Sequence, residues 1–308
     1  MKKNQKISNE LRKENLELYS MLLPLLLLLL IFNYLPMPGI AIAFQNYKPG
    51  APFFSFDGST EWVGLAHIQK FVSSIYFGRL LKNTLVLNLM CFLFGFWVPI
   101  AFALLVNELR HMKYKKFVQT ASYLPHFISS VVIAGMVISF VGKNGIITHF
   151  LGIFGFENRN LLTNANAFPA IYTATSVWQS FGFSAILYFS TMSAIDPEQY
   201  ESARIDGANR FQMMWHITLP ALRSLIAIRL ILTMGSVLGA NTDMILLLYN
   251  ASIYDTADVI GTYIYRLGIM GGQFSYTTAV GIFMSFFSFA LTYIANKVSD
   301  KLTGFALW

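Results

Sequence analysis

Charge is what this 308-residue chain has least of. Asp, Glu, Lys and Arg make up 12% of it, about half the roughly 25% of ordinary soluble domains. That leaves too little polar material to wet a globule of this size. A single cysteine, Cys91, excludes a disulfide scaffold. No short repeat is present, which excludes collagen-like and coiled-coil chains, and abundant aliphatic and aromatic residues exclude a disordered one. Cys91 and the five histidines show no metal-ligand spacing. There is no catalytic triad and no constellation of paired carboxylates.

What is present is apolar. Hydrophobic residues reach 55% and the mean hydropathy is +0.54. The composition predicts an all-α, polytopic membrane protein. The net charge of +7 could suggest nucleic acid. The basic residues, however, cluster at the ends of apolar runs, where they orient membrane proteins, so no nucleic-acid partner is expected.

A spanning helix needs about 20 apolar residues, and six long uncharged or nearly uncharged intervals qualify. The first runs from Ser20 to Tyr47 and holds the leucine block Leu25 to Leu30. It is read as a span rather than a signal peptide, because Pro36 and Pro38 follow its core and the stretch before Ala41-Ile42-Ala43 is too long. The second lies between Lys82 and Glu108 and the third between Lys116 and Lys143. The fourth lies between Arg159 and Asp196, apolar from about Phe168. The fifth runs from Pro220 to about Leu248, interrupted by Arg229 and Asp243, and the sixth lies between Arg266 and Lys297.

With the N-terminus in the cytoplasm, fourteen Lys and Arg fall on the cytoplasmic side and seven outside. Both termini are therefore expected in the cytoplasm. The expected organisation is a cytoplasmic tail at 1–19, a six-helix transmembrane domain at 20–297 that includes a cytoplasmic loop at 196–220, and a tail at 298–308. The outer loop from Lys48 to Arg79, with Pro52-Phe53-Phe54-Ser55-Phe56, is expected against the membrane surface. Trp308 reads as an interfacial anchor.

The loop after the fourth span is the most informative stretch. Asp196 can cap a helix that begins at Pro197, with Gln199 in the capping-box position. The helix should end near Gly207, which tolerates the left-handed conformation. A second short helix should carry Phe211, Met214, Trp215 and Ile217 toward the membrane, with Pro220 in the first turn of the next span. Ser202, Ala203 and Ala208 are small enough to admit another backbone, and Glu201, Arg204 and Asp206 can pair across an interface. Such a helix suits docking into a partner's groove.

The pattern Glu201-Ser202-Ala203, then Gly207, then Ile217-Thr218-Leu219-Pro220 resembles the EAA loop of type I ABC import permeases. Its one departure is Ser202 at the middle position, small for small. Trp178 and Asp196-Pro197 resemble the carbohydrate permeases. Leu247-Leu248-Tyr249-Asn250, Ala257-Asp258-Val259-Ile260, Thr262-Tyr263 and Gly271-Gly272-Gln273-Phe274-Ser275 resemble the oligosaccharide and polysaccharide branch, the LplB-type permeases. The likeness covers nearly the whole chain beyond its N-terminal tail.

The resemblance implies the type I ABC importer permease fold in a bacterial cytoplasmic membrane. It implies a second homologous permease subunit, two ABC ATPase subunits, an extracytoplasmic sugar-binding protein and surrounding membrane lipid. Glu201, Ser202, Ala203, Arg204, Asp206, Gly207, Ala208, Ile217, Leu219 and Pro220 would couple to the ATPase. Gly271-Gly272-Gln273 is not an ATPase signature, since no GxxxxGK[S/T] phosphate loop exists in the chain. ATP and Mg therefore belong to the partner ATPase, and the chain itself is expected to hold no cofactor, no metal and no catalytic residue.

In the related maltose permease, substrate contacts fall on the helices equivalent to spans four and five. The matching candidates here are Ser176, Trp178, Gln179, Ser180 and Phe183, with Ser236, Gly239, Asn241 and Asp243 on span five. Aromatic faces and amide or hydroxyl groups together suit sugars, although such a stripe also serves packing. Asp243 either lines the path or sits in headgroups. Arg229 either snorkels, pairs with a neighbour, or serves transport. His126 reads as a structural hydrogen-bonding residue in span three. A secondary transporter of a small polar solute is the alternative, and it would need an intramembrane charge relay. An enzyme acting on lipid-linked sugar would need catalytic carboxylates or a metal site.

Overall fold

The computed structural model describes residues 2–53, 60–236, 239, 241–304 and 306, with side chains from residue 15 onward except those of 236, 302 and 303. Phe54 to Phe56 of the outer loop, the side chain of Ser236, and Trp308 lie outside the described residues. Among the described residues the chain is helical, with one isolated antiparallel bridge between Gln45 and Trp62.

The helices in chain order are α1 (Lys2–Leu29), α2 (Ala66–Val72), α3 (Phe77–Asn107), α4 (Met112–Tyr123), α5 (Ser130–Val141), α6 (Ile146–Ile153) and α7 (Phe168–Ser193). There follow α8 (Pro197–Ile205), α9 (Arg210–Met213), α10 (Leu219–Ala221), α11 (Arg223–Ser236) and α12 (Thr242–Leu248). The last three are α13 (Tyr254–Ala257), α14 (Ile260–Ile264) and α15 (Phe274–Thr303).

Four segments are long and apolar enough to cross a membrane: Asn15–Phe44, Phe77–Asn107, Ser130–Ile153 and Phe274–Lys301. A fifth is a pair, Arg210–Ala221 and Arg223–Gly235, bent by 59° at its break. The fourth expected span is α7. Its 26 residues carry no charge and extend about 39 Å, longer than a bilayer core. Its many Ser, Thr, Tyr and Gln residues keep its hydropathy low.

Two expectations are corrected. The third apolar stretch begins at Ser130, not after Lys116. Pro125 lacks an N–H and biases the residue before it away from the helix. The chain tightens into a 3-10 turn at Leu124–Phe127 and restarts where Ser129 Oγ accepts the Val132 N–H at 3.4 Å. His126 therefore lies in this turn and not in a span. The fifth span also stops early. Its first helix is described as far as Ser236, Gly239 and Asn241 lie outside helix, and a helix starts again at Thr242, where the Asn241 side chain accepts the Met244 N–H at 3.2 Å.

The chain forms two compact units, residues 1–71 with 267–282 and residues 72–266 with 283–308. In the first, Gln45 anchors the segment after the opening span. Gln45 Nε2 donates to the Phe53 carbonyl at 2.9 Å, and the Tyr47 N–H donates to Ser275 Oγ at 2.9 Å. Lys70 Nζ stands 5.3 Å from the Tyr276 ring centroid.

In the second unit α3 and α7 form the central pair. One buried cluster joins Leu87, Ile133, Phe168, Tyr172, Met244 and Ile245; another joins Phe96, Ile100, Ala185, Tyr188, Phe189 and Leu222. Lipid tails remove the hydrophobic drive between membrane helices, so close packing and hydrogen bonds hold them. Gly182 shows the packing: a Cβ there would stand 2.0 Å from the Ser122 carbonyl oxygen of α4.

The end of this unit remote from the coupling loop is held by Asp258, which is fully buried. Arg266 grips it with two bonds, Nη1 to Oδ1 at 2.7 Å and Nη2 to Oδ2 at 2.8 Å. Thr262 Oγ1 donates to it at 2.7 Å, and Arg79 of α3 approaches to 3.6 Å. The pair raises the Arg266 pKa above its ordinary value, first through the hydrogen bonds that Arg266 donates to Asp258. Removing one partner of a buried pair costs about 3–5 kcal/mol, whereas exposed pairs contribute about 0–1. Asp258→Ala should therefore lower the thermal unfolding midpoint in detergent sharply. Asp255→Ala, whose carboxylate meets Arg79 at 3.5 Å but is 84% exposed, should barely move it.

Candidate functional site

The loop after α7 folds as its sequence dictates, with one substitution of partner. Pro197 opens α8, and Asp196 accepts the Glu198 N–H at 3.0 Å. Gln199 forms no capping box with Asp196. The reciprocal box forms thirteen residues later, where Asn209 Oδ1 accepts the Gln212 N–H at 2.9 Å and Gln212 Oε1 accepts the Asn209 N–H at 2.8 Å.

Between the caps the chain reverses at Gly207, with φ +82°. The Gly207 N–H reaches the Arg204 carbonyl at 3.1 Å and the Ala208 N–H reaches the Ala203 carbonyl at 2.9 Å. This is the Schellman pattern, and it brings Ala203 against Ala208. These two are half-buried in the loop's own turn, whereas Glu201, Ser202, Arg204 and Asp206 are exposed. The sequence reading missed Ile205, which is 86% exposed at the end of α8.

The loop is tied back to the bundle. Tyr200 Oη and Thr218 Oγ1 are 2.9 Å apart, and Arg210 Nη1 donates to the Glu108 carbonyl at 3.3 Å. Met214–Thr218 forms a π-turn that leads into Leu219 and Pro220. Phe211 and Trp215 stack at 6.3 Å and remain exposed. A groove of about 910 Å³ separates α8 from the turn after α3, lined by Glu108, Arg110, Tyr200, Glu201, Arg204 and Arg210. At its side Lys115 Nζ donates to Asn107 Oδ1 at 2.8 Å. Burial pulls the Lys115 pKa below its ordinary value, and Glu108 opposes that shift.

Inside the bundle a cavity of about 180 Å³ is lined by Asn88, Cys91, Phe92, Tyr172, Ser176, Thr233, Gly239 and Asn241. Three of the expected path residues, Ser176, Gly239 and Asn241, meet there. Trp178 is exposed on another face of α7. Gln179 Nε2 donates to the Ile128 carbonyl at 3.2 Å, and Ser180 Oγ donates to the Ser176 carbonyl at 2.8 Å. Phe183 stacks on His126 at 4.0 Å. None of these four side chains lines the cavity. Asp243 is exposed in the first turn of α12, where a carboxylate complements the helix dipole, and it does not line the cavity.

Asn88, Cys91 and Phe92 were missed, although their spacing of three and four residues puts them on one face of α3. Asn88 Nδ2 and Ser176 Oγ are buried without a hydrogen-bond partner. Ser176 Oγ lies near the Cys91 thiol and the Tyr172 hydroxyl without reaching hydrogen-bond geometry. Buried polar groups are satisfied by protein, water or a bound molecule. A site with unpaired amide and hydroxyl groups beside aromatic walls suits a polar, ring-shaped solute. Tyr172 also closes the break in span five, its hydroxyl accepting the Asn241 N–H at 3.1 Å.

A helical membrane bundle with a docking helix on its loop and a polar cavity between its spans defines a transporter permease. The chain belongs to the family of binding-protein-dependent transport system inner membrane components, whose model matches residues 18–303. It is 43% identical to the polygalacturonan/rhamnogalacturonan transport system permease protein YteP of Bacillus subtilis (strain 168), over 92% of this chain and 88% of that one. Protein LplB of the same organism is 40% identical with the same coverage. A structure of a bacterial alginate ABC transporter, in complex with an alginate pentasaccharide-bound periplasmic protein, superposes with a TM-score of 0.85 at 39% identity. That match covers 96% of this chain and 98% of the other.

Losing a typical intramolecular hydrogen bond such as that of the exposed Asn241 costs about 0.5–1.5 kcal/mol. Tyr172→Phe should therefore lower stability by that order and speed amide exchange around 241–244. Tyr249→Phe, remote from the break, should leave exchange there unchanged.

Proposed function

We propose that this chain is one permease subunit of an ATP-driven importer that moves an oligosaccharide across the bacterial cytoplasmic membrane. A second, similar permease completes the pore, two separate ATPase subunits bind ATP and Mg, and an extracytoplasmic binding protein delivers the sugar. The polysaccharide cargoes named for YteP and for the alginate transporter support a saccharide substrate. All six apolar segments cross the membrane, with both termini in the cytoplasm. The exposed leucines between Leu22 and Leu30 face lipid or the second permease.

The observation that carries this reading is the α8–Gly207 turn, with Ile205 projecting from its end. Closure of the ATPases on bound ATP pushes this helix. The push passes through Tyr200–Thr218 and Arg210–Glu108 into the bundle, because both contacts link the loop to spans. The spans then rearrange around the cavity, and access alternates from outside to inside. At about 180 Å³ the cavity falls below the roughly 300–1,000 Å³ of drug-sized sites. It therefore admits one ring at a time, and an oligosaccharide threads through it.

Proline cannot adopt the positive φ of Gly207 and lacks the N–H that reaches Arg204. Gly207→Pro should leave the protein in the membrane and assembled, yet uncouple ATP hydrolysis from uptake. The check is ATPase rate and sugar uptake measured on the same proteoliposomes. Normal coupled uptake would refute the role given to this turn.

A further inference from the structure

Arg229 precedes Thr233 by four residues on α11, so the two share a face about 6 Å apart along the axis. Thr233 Oγ1 donates to the Arg229 carbonyl at 2.7 Å, and Thr233 lines the cavity. Arg229 thus stands one turn from the cavity, toward the coupling loop. Its side chain lies near Tyr188 on α7, a residue only 1% exposed, without a hydrogen bond to its hydroxyl. Its Nε is buried with no acceptor. None of the ion pairs among the described residues involves Arg229. Arg79 also has a buried Nε without an acceptor, but Arg79 and Arg266 share the buried Asp258, and among the described residues Arg229 has no such carboxylate.

A guanidinium stays charged in any protein environment and presents five donors in a plane. A neutral phenol offsets little of that charge. Charges inside a membrane are costly, face the bundle interior and mark substrate pathways. The ligand group that matches a guanidinium in charge and shape is a carboxylate, whose two oxygens take two parallel N–H bonds. A sugar hydroxyl matches neither. Beside it, Asn88 and Ser176 offer unpaired groups for the hydroxyls of the same ring.

We propose that Arg229 reads a carboxylate on the substrate, so that this permease passes acidic oligosaccharides rather than neutral ones. This rests on the oligosaccharide-importer reading above. Tyr188 lies beside the guanidinium. Asn88 and Ser176 bind a uronate ring in the cavity while its carboxylate, or that of the ring ahead of it, meets Arg229.

The test uses the complete transporter in proteoliposomes, with trigalacturonate and its fully methyl-esterified form as probes. ATPase rate and uptake are read together. Arg229→Gln should cut trigalacturonate uptake by about tenfold or more while leaving ester uptake and basal ATPase unchanged. Arg229→Lys, which keeps the charge but not the fork, should recover part of the loss. Equal acid uptake by Arg229→Gln and wild type overturns the proposal. So does an equal loss for acid and ester, which would make Arg229 a structural partner of Tyr188. A wild type that moves the ester and not the acid overturns the proposal and leaves the importer standing. A wild type whose ATPase answers to no saccharide overturns the importer reading itself.

Discussion

A bilayer offers no water to a broken helix, so each backbone group freed at a break must find a partner inside the protein. The second unit of this chain is built around that constraint. Its apolar segments are interrupted at 124–129, at Leu222, and between Ser236 and Thr242. Polar side chains of α3 and α7 serve the freed groups. Gln179 takes the Ile128 carbonyl. Tyr172 takes the Asn241 N–H. Asn83 donates to the carbonyls of Asp255 and Asp258, and Thr84 Oγ1 accepts the Ile260 N–H. The low hydropathy of α7 follows from this duty. It is the helix on which irregular segments lean.

The same constraint separates structure from function among the polar residues. Gln179, Ser180, Asn83 and Thr84 are spent on backbone groups within the fold. Asn88 and Ser176 are buried and unspent, and they meet in one cavity beside the break in span five. Gly239 and Asn241, both outside helix, line that cavity. Ahead of α11 in the chain lies α8, which ends in the exposed Ile205 and the hydrogen-bonded Gly207 turn. Hydrogen bonds of Tyr200 with Thr218 and of Arg210 with the Glu108 carbonyl tie this loop to the bundle.

Much of this was legible in the sequence. The loop was readable because capping, helix breaking and the left-handed turn are local, and Asp196, Pro197, Gly207 and Pro220 act within a few residues of themselves. The capping partner was misplaced because both Gln199 and Gln212 sit at a suitable spacing, and only the paired geometry of Asn209 with Gln212 decides between them. Ile205 was missed because exposure is not a local property. The third apolar stretch was read as continuous because hydropathy does not register Pro125. In the cavity, Ser176, Gly239 and Asn241 were anticipated from family likeness. Trp178, Gln179, Ser180 and Phe183 lie on the same helix but face other ways, which sequence proximity does not tell. Asn88 and Cys91 come from a helix to which no path role was given, and long-range packing brings them in.

The central claim is that α8 docks on an ATPase and that the chain works within a larger importer. The most direct measurement is purification of the chain from its native membrane in mild detergent, with a tag at the C-terminus and identification of what co-purifies. The account predicts an ATPase with a phosphate-binding loop and a second permease of the same family, both retained through the purification. A chain that purifies alone under gentle conditions would contradict it and reduce α8 to a helix on the membrane surface.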